Sequence, residues 1–159
     1  LTEIQSEQSV VVSDYGAMVV NNTQRNIPWY LPERARGLLV GYLGSNTEHQ
    51  PYGLQKFEWN PEQRRLEYAW THRVISSPSS VPIVGMGSNR VYFIGARDNE
   101  FTLEALDWDT GNSDFHYVIG GQRYNVMYSG TAIDEDGQIH YGTPWGRVRL
   151  VPKTSAETP

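Results

Sequence analysis

Four histidines and five tryptophans are among the side chains with which this chain of 159 residues could do chemistry. The histidines, His49, His72, His116 and His140, are scattered, and no two have the spacing by which a helix or a tight turn converges ligands on a metal. There is no cysteine, hence no disulfide, no thiolate ligand and no thiol nucleophile. Asp134, Asp136 and Gly137 resemble the start of a calcium loop, but the closing glutamate is absent, so they read as a β-turn. No Gly-x-Ser-x-Gly elbow, phosphate-binding glycine loop or His-Glu-x-x-His pair occurs. The serine-rich run 76–80 has no base beside it to activate a hydroxyl. Asn21-Asn22-Thr23 fits the glycosylation acceptor pattern, which has meaning only in a glycosylating host. No metal site and no catalytic set is expected, and the chain alone does not read as an enzyme.

What remains is the chemistry of binding. The stretch 22–53 carries Arg25, Trp29, Tyr30, Arg34, Arg36, His49, Gln50 and Tyr52. It is long for a loop, and long loops tend to recognise ligands or to pack on a neighbour. Arg97 and Asp98 either meet an anionic group or form a surface ion pair with each other. Tyr124, Asn125 and Tyr128 read as a pocket entrance or as loop anchors. Trp145, in Gly142-Thr-Pro-Trp-Gly146, sits between turn residues and is expected to be exposed unless a neighbouring element covers it, a position suited to stacking on a sugar, a quinone ring or a partner. Trp59, Trp70 and Trp108 lie in strand-like runs and are expected in the core. His116 and His140 alternate within strands and are expected to be half-buried packing residues.

A net charge of -5 argues against binding a phosphate backbone. No apolar run approaches the length of a membrane-spanning helix. The length suits one domain, expected over 1–152, with a flexible polar tail over 153–159. The chain opens on Leu1 rather than Met and shows no signal-peptide pattern, so it reads as a processed product or a fragment.

The elements that must position these residues are strands. No segment repeats apolar residues at helical spacing over three turns; at most 28–36 could hold one helical turn. Short runs rich in Val, Ile, Tyr, Phe and Trp recur instead at 9–13, 17–21, 38–43, 54–59, 66–72, 81–85, 90–95, 101–108, 115–119, 129–133, 138–142 and 147–151. Asn60-Pro61-Glu62-Gln63, Asp109-Thr110-Gly111-Asn112 and Asp134-Glu135-Asp136-Gly137 supply tight turns between them. The fold class is all-β and antiparallel.

These strands repeat. Leu54-Gln-Lys-Phe-Glu-Trp59 aligns with Leu103-Glu-Ala-Leu-Asp-Trp108, and each is followed by a turn and an aromatic strand. Ser9-Val-Val-Val-Ser-Asp14-Tyr-Gly16 aligns with Gly130-Thr-Ala-Ile-Asp-Glu-Asp136-Gly137, and Ser80-Val-Pro-Ile-Val-Gly85 followed by Arg90-Val-Tyr-Phe-Ile94 is the middle copy. The unit is a four-stranded meander of propeller-blade size. The segments Asn89–Gly95, Thr102–Gly111 and Ser129–Leu150 are similar to the repeats of quinoprotein-like (PQQ-like) β-propellers, which carry A-L-D-x-x-T-G and D-G-x-I-Y-x-G-T-x-x-G patterns. The resemblance covers most of residues 8–151.

It implies two full blades, 8–72 with an insertion at 22–53 and 80–119, and a partial third at 128–151. A ring closes with about four to eight blades. Three leave edges and faces uncovered, so further blades, from the same or another chain, are the expected partners. By the same resemblance, loops 22–53, 72–80, 95–101, 120–128 and 142–146 share the face where propellers bind. That face would present Trp29, Tyr30, His49, Tyr52, Arg97, Asp98, Asn125, Tyr128 and Trp145 to a small molecule, peptide or glycan. The implied function is a binding or scaffolding module. The alternatives are part of a propeller enzyme, either a quinone-dependent dehydrogenase or a hydrolase or lyase, and a self-assembling structural ring. No cofactor is evident from the residues; PQQ with calcium enters only through the resemblance, as does a periplasmic or secreted location.

Overall fold

The computed structural model describes residues 10–13, 16–21, 53–75, 80–98, 100–126 and 129–153. Within them the chain is all-β. Eleven strands follow in order: β1 Val11–Ser13, β2 Gly16–Asn21, β3 Gly53–Asn60, β4 Arg65–His72, β5 Ile83–Gly85, β6 Arg90–Arg97, β7 Glu100–Asp107, β8 Ser113–Gly120, β9 Ala132–Ile133, β10 Ile139–Thr143 and β11 Gly146–Leu150. Among the described residues one short 3₁₀ turn, Gln122–Tyr124, is the sole helical element. The expected strand at 38–43 and the helical turn at 28–36 lie outside the described residues, as do residues 154–159 of the tail. Gly53, expected in the insertion, begins β3 instead: it pairs with Asn21 of β2, and its φ of 122° with the His72 carbonyl 1.8 Å from where a Cβ would stand leaves room for glycine alone.

Each sheet is an antiparallel meander in chain order, β1-β2-β3-β4, then β5-β6-β7-β8, then β9-β10-β11. Side-chain oxygens fix the turns. Asn60 Oδ1 accepts from the backbone N–H of Glu62 and of Gln63, both at 3.0 Å. Asp107 Oδ1 accepts from Thr110 N at 2.8 Å, and Asp134 Oδ1 from Gln138 N at 2.8 Å. These are the local bonds by which Asn and Asp compete with regular pairing and end a strand.

The sheets stack face to face, and two apolar clusters hold them. The first joins Met18, Leu54 and Trp70 to Val91, Phe93, Leu106 and Trp108. The second joins Ile94, Phe101 and Leu103 to Val126, Ile139 and Tyr141. The two faces of β7 therefore serve different junctions: Leu106 meets the first sheet, while Leu103 meets the third. Because side chains alternate along a strand, a sheet between two others needs apolar residues at both parities. The buried run from Phe101 to Leu106 has them.

The first strands of neighbouring sheets come close. β1 touches β5, and Val81 makes a parallel bridge to Gly130, with Thr131 N donating to Val81 O at 3.3 Å. The sheets thus splay from a common line of first strands.

The first junction is closed by large polar-tipped side chains. Trp70 donates its indole N–H to Trp108 O at 3.0 Å. Gly111, at φ 71°, lies against the Trp70 ring, where a Cβ would come within 2.5 Å of Cδ2. Lys56 is 2% exposed, its Nζ 2.9 Å from Glu58 Oε1 and 4.8 Å from the centre of a Trp108 ring. Its Cε passes over Gly16, where a Cβ would stand at 2.9 Å. An ammonium so placed keeps a carboxylate and a π face in exchange for water.

Trp59 departs from the expected core position and is 41% exposed. Its repeat partner Trp108 is 3% exposed because it lies on the face that meets the first sheet. Trp59 takes the matching face of the first sheet, which no described element covers. His116 is exposed rather than half-buried, since β8 is the edge of its sheet. The repeat also shifts by one residue between the ends. Val11 pairs with Met18, but Ala132 pairs with His140, because the β9–β10 turn is one residue longer than the alignment of Met18 with Ile139 assumes.

Candidate functional site

The β6–β7 and β10–β11 turns, with the segments that follow β4 and β8, lie along one edge of the stack. Of the sequence-predicted residues, Arg97, Asp98, Asn125 and Trp145 fall on this edge. Trp29, Tyr30, His49, Tyr52 and Tyr128 lie outside the described residues.

Trp145 sits at the tip of the β10–β11 turn and is 56% exposed. The turn is built by Thr143, whose Oγ1 accepts from Trp145 N at 3.2 Å and donates to Gly146 O at 3.1 Å. An indole held out by a fixed backbone is a rigid stacking surface. Asn125 is half-buried beside the 3₁₀ turn.

Arg97 pairs with neither an open ligand position nor Asp98. Its Nε and Nη2 donate to Glu104 Oε1 and Oε2, each at 2.8 Å, and Thr102 Oγ1 donates to Glu104 Oε1 at 2.6 Å. Glu104 is fully buried. Arg97 lies along the face of β6 that carries Gly95 and Phe93, and Gly95 has no side chain to obstruct it. The fork-to-fork bond neutralises both charges and rigidifies the hairpin. Asp98 takes the turn itself, at φ 47°, where Asp is tolerated better than most residues.

His72, at the end of β4, faces the same junction. Burial first, and then the charge of Arg97, hold its pKa below the usual histidine value. The ring is therefore neutral at pH 7, with Nδ1 accepting from Val74 N at 3.4 Å. Glu104, Thr102 and His72 were not legible as a group: Thr102 and Glu104 share β7, but His72 stands on β4 and joins them only when the first two sheets stack.

A second polar cluster occupies the outer face of the third sheet. Asp134 Oδ2 is 2.8 Å from His140 Nε2, and Arg147 Nη2 is 3.2 Å from His140 Nδ1. Arg147 can only donate, so Nδ1 is the acceptor and Nε2 carries the proton given to Asp134. That bond is the main reason the Asp134 carboxyl lies below its usual pKa. His140 is half-buried as expected, but hydrogen-bonded rather than packed. With Gly130, Ala132 and Gly142 these residues line a shallow open groove.

Neither cluster contains an activated nucleophile, and no group of three or more metal-ligating side chains occurs among the described residues. Both arrangements can hold and orient, through hydrogen bonds and stacking.

The chain is 36% identical over 150 residues to an uncharacterized protein of Archaeoglobus fulgidus. The match takes in 93% of this chain and 29% of that protein, so the chain spans less than a third of the relative's length. No family model matches the chain. No solved structure matches it.

Proposed function

We propose that this chain is a section of a PQQ-like β-propeller that acts as a binding or scaffolding module, presenting the loop edge at Arg97, Asp98, Asn125 and Trp145 to a ligand or partner. The observation that carries the reading is the stacking of meanders around adjacent first strands, with the Val81–Gly130 bridge running parallel. In that arrangement, connections between second and third strands gather on one side, where Trp145 stands exposed on a braced turn. The locked Arg97–Glu104 pair supports the binding reading, because it stiffens the edge on which Asp98 and Trp145 stand.

Backbone amide shift mapping tests this. The ¹⁵N-labelled chain is titrated with oligosaccharides, short peptides, and PQQ with calcium. Binding is expected to move amides around residues 96–99, 121–126 and 143–146, and Trp145→Ala is expected to abolish it for a stacking ligand. Shifts confined to other surfaces, or binding indifferent to Trp145, would overturn the assignment. Saturable capture of PQQ with calcium would move the reading to the quinone-enzyme alternative.

A further inference from the structure

We propose that two copies of this chain associate head to tail, the outer face of the third sheet in one copy seating on the outer face of the first sheet in the next. The inference goes beyond the binding reading and does not depend on the loop edge.

The first sheet's outer face follows from its register. Val12, Ala17, Phe57 and Tyr68 lie in one row, and Trp59 pairs with Leu66 on the same side. Val12, Trp59, Leu66 and Tyr68 are all exposed. A contiguous apolar patch of this kind on a sheet face marks a surface made to be covered.

The repeat says what covers it. At the first junction, Lys56 of one sheet lies on Trp108 of the next. The cross-strand row Val11–Met18–Lys56 places this cation on the third strand of its sheet. The corresponding row in the third sheet is Ala132–His140–Arg149, so Arg149 holds the Lys56 position. Trp59 holds the Trp108 position in the first sheet.

At the second junction both members are replaced together. Ala105 stands where the cation would be and Pro152 where the tryptophan would be, three residues after Arg149 as Trp59 is three after Lys56. Cation and tryptophan are thus present together or absent together. Two half-pairs are left over: an exposed Trp59 on the first sheet, and an exposed Arg149 on the third. One junction between copies unites them, stacking Arg149 of one copy on Trp59 of the next.

Charge agrees with this direction. Glu62 stands exposed in the turn beside Trp59, whereas Arg147 and Arg149 line the outer face of the third sheet. Such a contact is heterologous, so it closes a ring or continues as a chain of copies.

Sedimentation velocity over a wide concentration range tests the proposal. The wild-type chain is expected to form species larger than its 18.1 kDa monomer. Trp59→Ala and Arg149→Glu are each expected to weaken association about tenfold or more. Each variant spoils one face and keeps the other, so their equimolar mixture is expected to associate again and to stop at two chains. This complementation also shows that both variants are folded. A wild-type chain that stays monomeric at every concentration overturns the proposal. So does an oligomer that both variants leave intact, or a mixture that stays apart while the wild type associates.

Discussion

Replacing Gly111 by alanine tests how the first two sheets are locked. Two costs add at this position. The φ of 71° is left-handed, which costs an L-residue about 1–2 kcal/mol. The new Cβ would also stand 2.5 Å from Trp70 Cδ2 and 2.6 Å from Cε3, and crowding of that kind in a packed site costs about 1–3 kcal/mol. The sum is about 2–5 kcal/mol. For a chain of this size each kcal/mol moves Tm by about 2–4 °C, so Gly111→Ala is expected to lose about 4–20 °C. Two controls separate the terms. Gly137 has nearly the same φ, 75°, but its nearest neighbour is Pro152 Cγ at 4.0 Å, so Gly137→Ala carries only the conformational cost of about 1–2 kcal/mol. Gly87 has no atom within 4 Å and no positive φ, so Gly87→Ala is expected to change stability by about 0.5 kcal/mol or less. Thermal and urea unfolding measure all three. Trp70→Phe removes part of the ring that the Cβ meets, so the double variant with Gly111→Ala is expected to be more stable than the two single losses predict. If Gly111→Ala costs no more than Gly137→Ala, the turn does not press on Trp70 and the lock is wrongly described.

Three further outcomes follow from the polar clusters. Glu104→Ala is expected to cost about 3 kcal/mol in urea unfolding, because it removes the fully buried carboxylate partner of the half-buried Arg97 charge; a loss near that of an exposed pair would contradict the burial of Glu104. His72 has a folded pKa below its unfolded value, so the unfolded chain binds the proton first as pH falls. Stability is therefore expected to drop as pH is lowered through about 6.5 and below, and His72→Gln to flatten that part of the profile; an unchanged slope would refute the assignment. Nitrogen shifts of His140 at neutral pH are expected to show the proton on Nε2, and Arg147→Ala to relax that preference; an Nδ1–H tautomer in the wild type would contradict the network.

Strands and turns were legible because their signals are local. Alternation in 90–95 and 101–108, and Asp with Gly in 134–137, locate β6, β7 and the β9–β10 turn without reference to the rest of the chain. Face assignment was not, because the repeat makes Trp59 and Trp108 look alike while only one has a sheet stacked against it. Burial is a property of the neighbour, and no residue near Trp59 encodes that neighbour. Arg97 illustrates the same limit for charge. Asp98 is adjacent in sequence, yet it lies in the turn at φ 47° while Arg97 ends the strand, and the chosen partner, Glu104, is reached across the hairpin. Trp145 was legible because its exposure follows from the turn itself.

Lys56 gives the first junction a built-in chemical clock. The chain has two lysines, and Lys153 is exposed while the Lys56 amine is enclosed by Glu58, Gly16 and Trp108. An acylating reagent meets Lys153 at once but reaches Lys56 only when the first sheet swings off the second. Acylation of Lys56 then removes the charge that rests on Trp108 and adds bulk where Gly16 leaves no room. The modified amine cannot return to its place, so each opening is recorded permanently. The ratio of label on the two lysines over time thus reads how often the first two sheets separate, a kinetic quantity that no static contact supplies.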